Sequence, residues 1–221
     1  MQTPSKMRLE INEIPDAAQR LIQSSQKTIQ ALSKALKEKD PAFVATVARG
    51  SSDHAANYLK YIVEMQLGLP VASLGPSVAS IYGAQLKMPQ GAMIAISQSG
   101  KSPDIVAMAE NARRGGSFTA AFTNVISSPL AAVCDVALDI EAGPELSVAA
   151  TKTFVNSVIA GLLLVAGWTM DRNLMEALHT LPAALGKAVQ MDWSVLGDSL
   201  EGRHSLYILG RGPAYAIACE A

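Results

Sequence analysis

Ser97-Gln98-Ser99-Gly100-Lys101-Ser102 sets three hydroxyls, an amide, a glycine and an ammonium group side by side. An apolar run from Ala92 to Ile96 enters this cluster. A run with helical periodicity leaves it at Pro103, with Ile105, Val106, Met108 and Ala109 on its apolar side. The pattern predicts strand, polar turn, helix. Pro103 falls in the first helical turn, where its missing N–H costs nothing. Backbone N–H groups, hydroxyls and a helix N-terminus meeting at one point bind a phosphate.

Two further clusters have the same character. Arg49-Gly50-Ser51-Ser52-Asp53-His54 follows the apolar run Phe43 to Ala48, and Gly143-Pro144-Glu145-Leu146-Ser147-Val148-Ala149-Ala150-Thr151-Lys152 precedes a long apolar helix. Hydroxyls, Gln side chains and helix N-termini suit a sugar phosphate, donating to the dianion and pairing with sugar hydroxyls. There is no Walker sequence and no GxGxxG, which disfavours nucleotides. The alternative for each cluster is helix capping, which Ser, Thr and Asp do for stability alone. Glu145 divides in the same way between capping the third helix and touching a sugar hydroxyl. Lys101 divides between adding charge near a phosphate and simple solvation, and His54 is expected to be a packed or surface residue. No Ser–His–Asp set and no paired carboxylates are assignable. His179 and His204 have no spacing partners, so no metal site is expected.

These clusters need elements to hold them. A helix is expected over 14–39, with Ala18, Leu21, Ile22, Ile29, Leu32 and Leu36 at helical spacing. Strands are expected at 43–48, 71–74, 92–97, 118–123 and 136–140. Helices are expected at 53–67, 77–86, 104–114, 129–133, 146–170, 174–189 and 192–201. Short apolar strands separated by helices indicate a parallel sheet covered on both faces. The fold class is therefore α/β, a doubly wound, mostly parallel sheet with helices on both faces. In such sheets ligands bind beyond the carboxyl ends of the strands, where the three clusters lie.

The 221 residues are 49% hydrophobic and 5% aromatic, with a formal net charge of −1. Neither charge nor aromatic content points to nucleic acid. Cys134 and Cys219 have no CxxC spacing and read as thiols in a reducing cytoplasm; Cys134, Trp168 and Trp193 are expected to pack rather than react. Residues 1–40 contain no apolar signal core, and the uninterrupted apolar stretch Val158 to Trp168 is too short to cross a bilayer. A soluble cytoplasmic protein without membrane partners is expected.

Near the end the pattern restarts. Leu206-Tyr207-Ile208-Leu209-Gly210-Arg211-Gly212 echoes Val44-Ala45-Thr46-Val47-Ala48-Arg49-Gly50, and a helical run follows in both places. Three regions are therefore expected: an N-terminal helical segment over 1–40, a first domain over 41–190, and the start of a second copy over 204–221. The other reading makes 206–209 a last strand of the first sheet. Apolar positions Val155, Val158, Ile159, Leu162, Leu163 and Leu164 exceed what one domain is expected to cover, which favours a homodimer.

Ser97-Gln98-Ser99-Gly100, Ala142-Gly143-Pro144-Glu145 and Ala150-Thr151-Lys152 resemble the sugar isomerase (SIS) domain family. The family includes the isomerase half of glucosamine-6-phosphate synthase. Arg49-Gly50-Ser51-Ser52-Asp53 and Ser99 to Asp104 are more similar to its stand-alone phosphosugar isomerases and glucosamine-6-phosphate deaminases. The resemblance runs over about 43–170 and resumes at 205–221. It implies an α-β-α sandwich and a substrate site. Ser97, Gln98, Ser99 and Ser102 match the phosphate turn; Gly50, Ser51 and Ser52 match a loop against the sugar. Val148 and Ala149 match backbone that closes over the substrate. It also implies dimers and a catalytic glutamate beyond Ala221, with Glu220 matching an earlier glutamate of the same helix; an enolisation beside an aldehyde needs only a base and an oxyanion partner, so no cofactor is expected. In the family a base moves a proton between C1 and C2 of the open-chain sugar.

With no glutaminase segment in these residues, the resemblance favours a phosphosugar isomerase of the deaminase type, taking glucosamine 6-phosphate to fructose 6-phosphate and ammonia. The alternatives are a non-catalytic sugar-phosphate-binding regulatory module, and an isomerase of another phosphosugar such as an arabinose or heptose phosphate.

Overall fold

The computed structural model describes residues 4–221. Three helices come first: α1 (Lys6–Asn12), α2 (Ile14–Ser24) and α3 (Gln26–Lys39). Then β1 (Phe43–Val47), α4 (Ser51–Leu67), β2 (Val71–Ser73), α5 (Ser77–Ser80), β3 (Gly91–Ile96), α6 (Pro103–Arg114), β4 (Phe118–Thr123), α7 (Pro129–Val133) and β5 (Val136–Asp139) alternate. The chain ends in α8 (Lys152–Thr169), α9 (Arg172–Val189), α10 (Ser194–Leu200) and α11 (Pro213–Glu220).

The strands form one parallel sheet in the order β2-β1-β3-β4-β5. The period-2 geometry of a strand divides their side chains between two cores. Val44, Ala92, Ile94, Ile96, Ala120 and Phe122 pack with α2, α3, α4, α8 and α9. Ala45, Val47, Met93, Ala95 and Ala121 pack with α6 and α7 on the other face. Both faces are covered, and β3 is buried along its whole length. Strand order reverses between β1 and β3, so a crevice opens there at the carboxyl ends.

Several expected boundaries shift for tertiary reasons. The helix expected over 14–39 is two helices that meet at Ser25, preceded by α1. The helix expected from 146 starts at Lys152, because residues 144–150 form a loop. The helix expected over 77–86 stops after Ser80. Residues 206–209 add no strand to the first sheet and are unpaired among the described residues. A strand exists only through a neighbour's hydrogen bonds.

Of the six apolar α8 positions behind the dimer expectation, Val155, Val158 and Leu162 are only partly buried. Ile159, Leu163 and Leu164 of α8 are buried within this chain, beneath α2, α3, α4 and α9. α8 has the length and apolarity of a membrane span, yet most of it lies in the core. Exposed apolar residues include Ile81 and Tyr82, Trp193, Val195 and Leu196, and the run Leu206–Leu209.

Candidate functional site

The turn after β3 owes its shape to one glycine. Gly100 has φ +60°, and a Cβ there would stand 2.1 Å from Ser128 Oγ and 2.9 Å from Thr123 Oγ1. Its N–H donates to the Ser97 carbonyl and to Ser97 Oγ, each at 3.2 Å, and Lys101 N–H donates to Ser99 Oγ at 3.3 Å. From below, Asn124 N–H donates to the Gln98 carbonyl, and Leu130 N–H to the Gly100 carbonyl. The turn is thus held by the β4–α7 loop, while the amides of Gln98, Ser99 and Ser102 donate to no acceptor among the described residues. Unspent amides at the start of α6 are what an anion requires.

Gly50 gives the β1–α4 turn a comparable opening. Its φ of 56° and ψ of −137° swing the chain into α4. Asp53 and His54 N–H turn back to the Gly50 carbonyl, while the Ser51 and Ser52 amides have no acceptor among the described residues. Arg49 Nη1 meets Asp104 Oδ2 at 3.0 Å and ties this turn to the start of α6.

The third cluster is a loop closed at both ends. Asn124 brackets its beginning, accepting from Ala142 N–H at 2.9 Å and donating to the Gly143 carbonyl at 2.8 Å. Glu145 closes its end. Glu145 Oε1 accepts from Thr151 N–H, Thr151 Oγ1 and Thr153 N–H at 2.9–3.1 Å, and Oε2 accepts from Thr153 Oγ1. These bonds cap the start of α8.

All three clusters meet. Arg49, Ser51, Ser52, Gln98, Glu145, Ser147, Val148 and Ala150, with Thr153 and Phe154 of α8, line one hollow of about 220 Å³. It lies at the carboxyl ends of β1 and β3. Gly50 and Ala149 adjoin that lining. Ser97 is buried under its turn, Ser99 and Ser102 are half-buried in it, and Lys101 is exposed. A larger cavity of about 600 Å³ lies between α2, α3, α8 and α9, but it contains none of these clusters. The smaller hollow is the candidate site because its donors converge at the strand order reversal.

His54 does not line the hollow; its Nδ1 lies 2.7 Å from Glu220 Oε2, joining α4 to α11. Beside it, burial pushes the Asp53 carboxyl up from its ordinary value. Thr153, Phe154, Asn124 and Glu10 were not singled out from the sequence. Lys152 held the one available signal, a lone cation in an apolar helix: it is 1% exposed and meets Glu13 and the Pro144 carbonyl.

The model of the SIS domain matches residues 39–167, more than half of the chain and every cluster around the hollow. The chain belongs to the SIS domain family. The glutamine–fructose-6-phosphate aminotransferase [isomerizing] of Symbiobacterium thermophilum is 33% identical over 192 residues, covering 80% of this chain and 31% of that protein. A Silicibacter pomeroyi protein described as a phosphosugar isomerase superposes with a TM-score of 0.94 at 53% identity, over 97% of this chain and 65% of that one. The C-terminal domain of the Francisella tularensis glucosamine-fructose-6-phosphate aminotransferase shares the fold, with a TM-score of 0.87 at 24% identity, over 99% of this chain and 65% of that one. The chain thus spans about a third of the S. thermophilum relative and just under two thirds of the two structures. As an SIS domain it has the α/β sandwich of the phosphosugar isomerases.

Proposed function

We propose that this SIS domain binds an aminosugar 6-phosphate and serves an enzyme that deaminates glucosamine 6-phosphate to fructose 6-phosphate and ammonia. The observation that carries the reading is the convergence of three donor clusters in one hollow at the β1/β3 reversal. The free amides of Gln98, Ser99 and Ser102, with the hydroxyls of Ser97, Ser99 and Ser102, are the phosphate end. Gly50, Ser51, Ser52, Val148 and Ala149 are the sugar end. The aminotransferase and phosphosugar isomerase relatives support the substrate class.

The reaction moves the C2 proton of the open-chain aldose to C1, leaving an imine at C2. Water adds to that imine and ammonia departs. Around the hollow the one carboxylate is Glu145, whose oxygens already accept four hydrogen bonds. Those bonds commit it to capping α8. The residues described here bind and orient, and the base comes from a group outside this lining.

The repeat supports a second SIS copy starting at 204–221, after a first over 41–190. Gly212 has φ 61° and ψ −140°, nearly the backbone of Gly50, and α11 packs against α4 as a counterpart. The SIS resemblance supports a homodimer, and two free thiols accord with a cytoplasmic setting.

Calorimetry with glucosamine 6-phosphate, glucosamine and inorganic phosphate tests the binding. Tightest binding of the phosphorylated sugar is expected, and no binding of it overturns the reading. With turnover, ammonia and fructose 6-phosphate appear in equal amounts; conversion of a phosphosugar without ammonia replaces deamination by isomerisation.

A further inference from the structure

Glu10 of α1 lies far from the three clusters in sequence, yet its carboxylate reaches the loop beside the hollow. Oε1 accepts from Leu146 N–H at 2.5 Å and Ser147 N–H at 3.3 Å; Oε2 accepts from Ser147 N–H at 3.2 Å and from Ser147 Oγ. The residue is 6% exposed although α1 is otherwise a surface helix. Its ordinary acidity is enhanced first by the Ser147 hydroxyl and next by the Leu146 amide, with burial opposing. A glutamate on a surface helix gains nothing from folding inward unless a set of donors waits there. Carboxylates bonded to backbone N–H groups make strong, short hydrogen bonds.

The next residues show what this hold leaves free. Val148 and Ala149 amides donate to no acceptor among the described residues, and Val148 is fully exposed. Ser147, Val148 and Ala150 line the hollow. A second attachment runs in parallel: Lys152 bridges Glu13 to the Pro144 carbonyl, and Arg20 Nη2 donates to the Glu141 carbonyl at 3.2 Å. The start of the chain therefore grips the loop at 141, 144 and 146–147; beyond that, Ser147 Oγ also lies 2.7 Å from the Ala149 carbonyl, and the 148–149 amides stay open.

We propose that Glu10 is a positioning residue for the phosphosugar site: its carboxylate fixes Leu146 and Ser147 from behind so that the 148–150 backbone is preset at the hollow. This rests on the sugar-phosphate reading above. A fixed loop spares the ligand the entropy of ordering it, and so gains affinity without touching the ligand. Glu10→Gln keeps shape and one acceptor oxygen but presents N–H₂ to donors; Glu10→Ala removes the hold.

Amide hydrogen exchange on the 221-residue chain is the direct test. In the unaltered protein Leu146 and Ser147 exchange slowly while Val148 and Ala149 exchange fast. In E10Q, exchange at 146–147 accelerates roughly tenfold or more, while β3 and β4 are unchanged, because one charge-assisted set is lost. Affinity for glucosamine 6-phosphate falls about tenfold in E10A and less in E10Q, the graded response of a positioning group. Fast exchange at 146–147 in the unaltered protein overturns the proposal, and so does undiminished affinity in E10A. The exchange pattern requires no variant to fold and no ligand to bind. If the unaltered chain shows slow 146–147 exchange but no affinity for the sugar phosphate, the function fails while the grip stands, and Glu10 is then an anchor without a site.

Discussion

At the scale of single residues, Gly100 carries the sharpest expectation. Its left-handed φ and the oxygen 2.1 Å from any Cβ act together. Gly100→Ala is expected to cost about 2–4 kcal/mol of stability, since a strained φ adds to a steric clash with Ser128. Thermal unfolding would show the loss, and calorimetry would show that phosphosugar affinity falls with it. The two cysteines are expected to differ sharply. Burial pushes the Cys134 thiol up to about 12, so at neutral pH it holds almost no thiolate. Cys219 is exposed. A thiol reagent at pH 7.5 should label Cys219 quickly and leave Cys134 unmodified until the protein unfolds; two equally fast thiols would contradict the burial.

At the scale of elements, the junction between the 143–151 loop and α8 depends on Glu145. Four donors from Thr151 and Thr153 converge on it. Glu145→Ala is expected to lower stability by about 1–2 kcal/mol, as loss of a cap does, and to fray the first turn of α8. Urea unfolding at pH 7 measures the first effect, and exchange at Thr153 the second. A variant as stable as the parent would mean that Thr151 and Thr153 cap the helix by themselves. The same junction shows why the expected helix from 146 was too long. Leu146, Val148 and Ala149 are helix-compatible side chains, but the backbone before Lys152 is bound to Glu10 and Glu145 instead of to itself. Tertiary hydrogen bonds outweigh a local propensity worth a fraction of a kcal/mol per residue.

At the scale of the whole molecule, Tyr207 and Leu209 are 87% and 91% exposed, side by side in an unpaired segment. Such a strip binds another chain or invites aggregation. The protein is expected to exceed a monomer's mass in light scattering, and Tyr207→Lys with Leu209→Lys should return it toward a monomer. A monomeric unaltered protein would leave α11, docked on α4, to hold that segment alone.

Sequence determined the strands and the three polar clusters, because alternating apolar runs broken by Gly, Ser and Pro have few other foldings. All five sheet strands were located to within a residue or so, and Gly50 and Gly100 marked turns whose φ only glycine takes readily. Tertiary structure decided how those clusters are assembled. The meeting of Ser52, Gln98 and Val148 in one hollow depends on strand order, which local pattern does not encode. The division of Glu145 between cap and ligand, and the reach of Glu10 to Ser147, depend on which donors lie within hydrogen-bond distance after folding. Glu10 and Ser147, 137 residues apart, share no periodicity, so only the packed chain could bring them together.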